Sequence, residues 1–166
     1  MIKLESTFVS LLLNQVMRER DNRIGTCIAF DYGTRRIGLA VGEYRLKTAS
    51  PVGVVNNNNG TPDWSAIDKI IELWQPTDLV VGWPLTEDSQ EQTITFHVKG
   101  FIKRLNKRYE LTIHKADERY SSVEAQQTLK NMRSSGQRIR KTRHEDVDTI
   151  AAALILESWF ATGSSQ

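Results

Sequence analysis

Apolar residues fall into short runs closed by turn signals, and further along the chain they recur at helical spacing. Residues 27–32, CIAFDY, form a nearly continuous apolar run that ends at a turn, the pattern of a strand buried on both faces. Gly33-Thr34-Arg35-Arg36 predicts a tight turn and residues 37–43, IGLAVGE, a second apolar strand, so the pair reads as a hairpin. Ala49 to Val55 predicts a third strand, which Pro51 assigns to an edge because it lacks a ladder donor. Asn56 to Gly60 reads as a polar loop, and Thr61 as the N-cap of a helix with Pro62 in its first position. In that helix Trp64, Ile67, Ile71 and Trp74 recur at helical spacing. Residues 78–82, DLVVG, predict a further buried strand. Ile94, Val98, Phe101, Ile102 and Leu105 predict a second helix, whose outer face carries Lys99, Lys103, Arg104, Lys107 and Arg108.

Leu111 to Glu118 predicts the next strand, and Ser121-Ser122-Val123-Glu124 a capping box that opens a third helix. After a loop over residues 134–143, a last helix runs from about His144 to Phe160 with the stripe Val147, Ile150, Ala151, Leu154, Ile155 and Ser158. A hairpin first, then strands alternating with helices, predicts an α/β fold: a mixed sheet covered by helices.

Length adds one domain to this picture, because 166 residues hold a single core with little to spare. Residues 25–166 are expected to form it, with residues 1–24 as an N-terminal extension or short extra helix, and Met17 as a second possible start. The apolar patch Phe8 to Leu13 is too short to span a bilayer, and no small-residue cleavage site follows it, so neither a signal peptide nor a membrane anchor is expected. Cys27 is the one cysteine, which excludes an intrachain disulfide and fits a reducing cytoplasm. The net charge of +2 permits a polyanionic partner without requiring one, so the placement of charge must decide.

Three acids stand where apolar neighbours would not ordinarily leave them. Asp31 ends the first strand, Glu118 a later one, and Asp148 lies beside the core-facing pattern of the last helix, on the flank of Ala152 and Ile155. If the two strands are neighbours, the three carboxylates converge at one edge of the sheet. A bare cluster of this kind repels itself, and a divalent cation with oxygen ligands, Mg²⁺ or Mn²⁺, relieves the repulsion. Taken singly, each acid also has an ordinary structural role: Asp31 beginning a turn, Glu118 pairing with Arg119, Asp148 complementing a helix N-terminus.

The stretch from Ala29 to Val41 (AFDYGTRRIGLAV), then VVGWPL, DERYSSVEA and VDTIAAALIL, resembles in order the YqgF (RuvX) family of bacterial RNase H-like proteins. That family is described as Holliday-junction resolvases and as pre-16S ribosomal RNA nucleases. The likeness spans about residues 26 to 160 and implies an RNase H-like sheet, a divalent metal, and Asp31, Glu118 and Asp148 as the acidic triad of a nuclease. Trp83, Thr86 and Tyr120 depart from the family's usual residues at the rim, and Trp83 and Tyr120 are candidates for stacking on unpaired bases or for simple packing.

Charge placement fits a nucleic-acid partner. From Ala125 to His144 there is no acid, while Lys130, Arg133, Arg138, Arg140, Lys141 and Arg143 make a basic segment leading into the helix of Asp148. Arg35 and Arg36 in the hairpin turn are further phosphate-contact candidates. The rival expectation is a non-catalytic nucleic-acid-binding factor with the same fold. Gly33 to Gly38 has P-loop spacing without the lysine, Asp31 to Thr34 also resembles the phosphate loop of actin-like ATPases, and His97, His114 and His144 lack ligand-spaced partners for zinc.

Overall fold

The computed structural model describes residues 24–84, 93–117 and 144–162. Four strands come first: β1 (Thr26–Tyr32), β2 (Arg36–Glu43), β3 (Thr48–Asn58) and the two-residue β4 (Thr61–Pro62). Helix α1 (Trp64–Trp74), β5 (Asp78–Trp83), α2 (Thr93–Tyr109), β6 (Thr112–Asp117) and α3 (His144–Ala161) follow. The sheet order is β4-β3-β2-β1-β5-β6. β1 runs antiparallel to β2 and parallel to β5, and β5 runs parallel to β6. The expected mixed sheet is present, and residues 1–23 of the N-terminal extension and the predicted helix after residue 121 lie outside the described residues.

Two local readings are corrected. The stretch after Val55 continues β3 to Asn58, and Asn59 and Gly60, with φ of 50° and 83°, make the two-residue turn that pairs Asn58 with Thr61. Positive φ at both central positions is what an Asn-Gly hairpin turn requires. Thr61 and Pro62 are therefore drawn into a strand and cannot cap the helix. Asp63 does so, its carboxylate accepting from the Ala66 amide at 3.1 Å. Pro51 sits in β3 beside a register shift opposite Leu39 and Ala40, where a missing donor is tolerated.

Strand alternation gives the sheet two unlike faces. Ile28, Phe30, Tyr32, Ile37, Leu39, Leu79 and Val81 point to one side and pack with Ile67, Val98, Phe101 and Leu105 of α1 and α2. Each large side chain so buried contributes roughly 1.5–3 kcal/mol. The other face is lined by small residues, Cys27, Ala29, Ala40 and Ala116, and receives α3. Gly42 belongs to it: a Cβ there would stand 2.8 Å from both Leu156 Cδ2 and Phe160 Cε2.

This small-residue face also corrects the phase of α3. Its buried side chains are Ala151, Ala152, Ala153, Ile155, Leu156, Trp159 and Phe160, while Ser158 of the expected stripe is exposed and Leu154 only half-buried. The helix is apolar on most of its circumference. Its rotation is set by where alanines can approach β2 and where Trp159 and Phe160 find room beside Tyr44.

Candidate active site

Because β1, β5 and β6 are parallel, their C-terminal ends lie along one edge of the sheet. Asp31 is the penultimate residue of β1 and continues the alternation of Cys27 and Ala29, which places it on the face covered by α3. Its antiparallel partner across the hairpin is Gly38. A Cβ on Gly38 would lie 2.1 Å from the backbone oxygen of Asp148 and 2.4 Å from its carbonyl carbon. Only glycine admits α3 this close, and the contact brings Asp148 over the strand pair that carries Asp31.

The juxtaposition has an electrostatic consequence. The Asp31 carboxyl is pushed up to about 7, first by burial and second by the negative charge of Asp148. Asp148 is itself bound by Arg36, whose Nε donates to Oδ2 at 2.9 Å. Arg36 thus reaches from the first residue of β2 to the first turns of α3 and supplies the positive charge nearest the two acids among the described ion pairs. Arg35, one residue earlier, is exposed.

The turn that aims these arginines is braced from β3. The Gly33 amide donates to the Arg36 carbonyl at 2.9 Å, and a Cβ on Gly33 would meet that oxygen at 2.7 Å. Asn57 adds two bonds: its amide donates to the Arg35 carbonyl at 2.8 Å, and its Nδ2 to the Gly33 carbonyl at 2.7 Å. Asn57 is fully buried. Sequence reasoning missed it because it stands within a run of four asparagines that reads as loop, and missed Gly38 because the close approach is visible only in three dimensions.

The strand of Asp31 and the strand that leads to Glu118 are not immediate neighbours: β5 separates β1 from β6, a spacing of two strands, roughly 10 Å. Glu118 directly follows Asp117, the last residue of β6, and lies outside the described residues, as do Tyr120 and Lys130, Arg133, Arg138, Arg140, Lys141 and Arg143. Among the described residues no group of three or more potential metal ligands is assembled. Asp31 and Asp148 make a partial set of carboxylate oxygens, of the kind hard divalent cations take. Trp83 is on the other face of the sheet, half-buried against the core, with Lys115 Nζ 3.9 Å and Lys99 Nζ 5.9 Å from its ring centroid.

At the opposite end of β1, Cys27 is a core thiol, pushed up to about 12 by burial and then by Asp78. His114 pairs with Asp78 at 3.0 Å and leans on the Trp159 ring, which gives it a structural role. No helix among the described residues is long and apolar enough to cross a membrane.

A family model described as "RuvX: Holliday junction resolvase" matches residues 25–162. The "Putative pre-16S rRNA nuclease" of Francisella philomiragia subsp. philomiragia is 42% identical over 134 residues, which cover 81% of this chain and 95% of that protein. Its namesake in Francisella tularensis subsp. tularensis is 41% identical over the same share of both chains. Among solved structures, T. thermophilus RuvC in complex with a Holliday junction substrate aligns with a TM-score of 0.50 at 13% identity, over 86% of this chain and 98% of that one. The yeast mitochondrial Holliday junction resolvase Ydc2 aligns with a TM-score of 0.50 at 12% identity, over 91% and 85%. At such identity the two structures speak to the fold, an RNase H-like sheet with helices on both faces.

Proposed function

The chain belongs to the RuvX family of Holliday junction resolvases, and from that membership we propose that it is an endonuclease hydrolysing phosphodiester bonds in structured nucleic acid with the help of a divalent cation. One observation carries the reading: the Gly38 contact sets Asp148 beside a partly buried Asp31 whose carboxyl is already held well above the usual range. A pair of acids kept together at such a cost in repulsion has little purpose in the fold and a clear one in holding a cation.

Asp31 and Asp148, with Glu118 from the chain just after β6, are the oxygen donors in this proposal, and Mg²⁺ or Mn²⁺ is the ion such donors suit. When bound, the cation supplies an activated water and stabilises the charge that builds on the phosphate oxygens. Arg36 steadies the Asp148 carboxylate through its Nε contact. Arg35, exposed on the same turn, is aimed by the Asn57 brace and grips a flanking phosphate. The basic segment from Lys130 to Arg143 binds further phosphates by counterion release, and Tyr120 stacks on an unpaired base.

The substrates that follow from the relatives are precursor 16S RNA and four-way DNA junctions, both of them cytoplasmic phosphate polymers with branched or single-stranded features. One preparation of the protein, offered each substrate in turn with Mg²⁺, with Mn²⁺ and with EDTA, is expected to cut at least one of them in metal and neither in EDTA. Tight binding of both with no cleavage under any condition would leave a nucleic-acid-binding factor that retains the fold.

A further inference from the structure

On the sheet face away from the acids, α2 and α1 enclose an open pocket of about 280 Å³ lined by Trp64, Arg104, Lys107 and Arg108. The Trp64 ring lies nearly parallel to Phe101, with centroids 5.9 Å apart and planes at 25°, so the indole is packed on the core. Two guanidinium carbons stand over it, Arg104 Cζ at 5.9 Å and Arg108 Cζ at 5.6 Å from the ring centroid. Arg108 is fixed in turn by Asp68, its Nε donating to Oδ1 at 2.7 Å, and Tyr109 donates to the same oxygen at 2.7 Å. These bonds hold the Asp68 carboxyl down at about 2, so the acid stays ionised and engaged.

Arg104 spends its bonds on backbone carbonyls, of Gly100 at 3.3 Å and Gly60 at 2.7 Å, and so keeps its full charge. The helix that presents these residues, Thr93–Tyr109, has five basic side chains and no acidic one. Asp68 offsets one of them. Further along the same face, Lys99 and Lys115 flank the Trp83 ring in the same manner. Two tryptophans, each set among cations, lie on one face of the sheet.

We infer that this pocket binds one nucleotide of a single-stranded arm of nucleic acid, with Arg104 and Lys107 on its phosphates and the exposed part of the Trp64 indole against the base. The volume is near the lower limit of small-molecule sites, roughly 300 Å³, which suits one unit of a polymer better than a whole ligand. A fixed aromatic ring with surplus positive charge is the combination that single-strand-binding grooves use, stacking for the base and electrostatics for the backbone. An arm of substrate that leaves the acid-bearing edge and crosses to the other face of the sheet meets this pocket. The identity of that arm rests on the nuclease reading, whereas the binding itself needs neither acid nor cation.

The test is fluorescence anisotropy of a labelled 20-residue oligouridylate with the full chain in EDTA, at salt from 50 to 200 mM. Compared are the native protein, Lys107→Gln, Arg104→Gln/Lys107→Gln, and Arg45→Gln as an exposed control on the turn after β2. Removal of two phosphate contacts is expected to weaken binding roughly tenfold at low salt and to flatten the plot of log affinity against log salt by about 1.4, with half that change for Lys107→Gln. Lys107→Gln removes no hydrogen bond described above, so its slope change reports phosphate contact and not unfolding. Unchanged affinity and slope in the double variant would overturn the inference, as would an equal loss against polyglutamate, the mark of a docking site for an acidic protein. The anisotropy is read in EDTA with no cleavage, whereas the nuclease reading is tested by cleavage in Mg²⁺ or Mn²⁺. The nuclease reading therefore fails or survives on a different readout.

Discussion

Among the described acids, Asp31 stands in an environment far from that of a solvated carboxylate. Burial and the neighbouring Asp148 raise its pKa from 3.8 to about 7. In the unfolded chain the group loses its proton near the ordinary value, and in the folded chain near 7. Its favourable contribution is therefore complete below about pH 4 and is lost as pH rises towards 7. In EDTA, the melting temperature of the native protein should fall relative to that of Asp31→Asn between about pH 4 and 7, the gap levelling off above that range. A gap that stays constant across the range would show that Asp31 is not held in the repulsive site described here. The acids were legible in the sequence as exceptions to apolar runs. Asn57 was not, because a polar residue becomes a brace only through a bond to a carbonyl 24 positions away, at Gly33.

At the scale of elements, the site depends on how closely α3 approaches β2. The strands were legible because their apolar runs are short and end in turn residues, and α1 and α2 because their apolar positions repeat at helical spacing. The rotation of α3 was not, since a helix apolar on most sides offers no preferred face until the sheet supplies one made of Gly38, Ala40 and Gly42. Gly38→Ala puts a methyl group on the Asp148 carbonyl, a backbone atom that cannot swing aside, and should cost about 1–3 kcal/mol of stability by forcing α3 outward. Cleavage should suffer more than stability suggests, because displacing a catalytic group by about 1 Å can cost on the order of 100-fold. Gly53→Ala in β3, where a Cβ has no neighbour within 4 Å, is the matched control and should leave cleavage unchanged. Thermal melts and turnover on both variants check this. Equal behaviour of the two would remove the close approach as the device that positions Asp148.

The whole molecule divides its work between the two faces of one sheet. The face of small residues carries α3 and the acids, and the face of large ones carries α1, α2 and a surface of cations and tryptophans. The net charge of +2 does not report this division, because it sums over both faces and the whole chain. The pocket at Trp64 could not be read from the chain, where Trp64 and Arg104 are 40 positions apart and meet only when α1 and α2 pack side by side. The central claim is that the acid pair carries metal-dependent cleavage, and turnover of Asp31→Asn in Mg²⁺ and Mn²⁺ tests it most directly. The substitution keeps the side-chain volume and removes one charge, so the variant should fold, bind its substrate and lose cleavage by several orders of magnitude. Full turnover in a folded Asp31→Asn protein would contradict the claim.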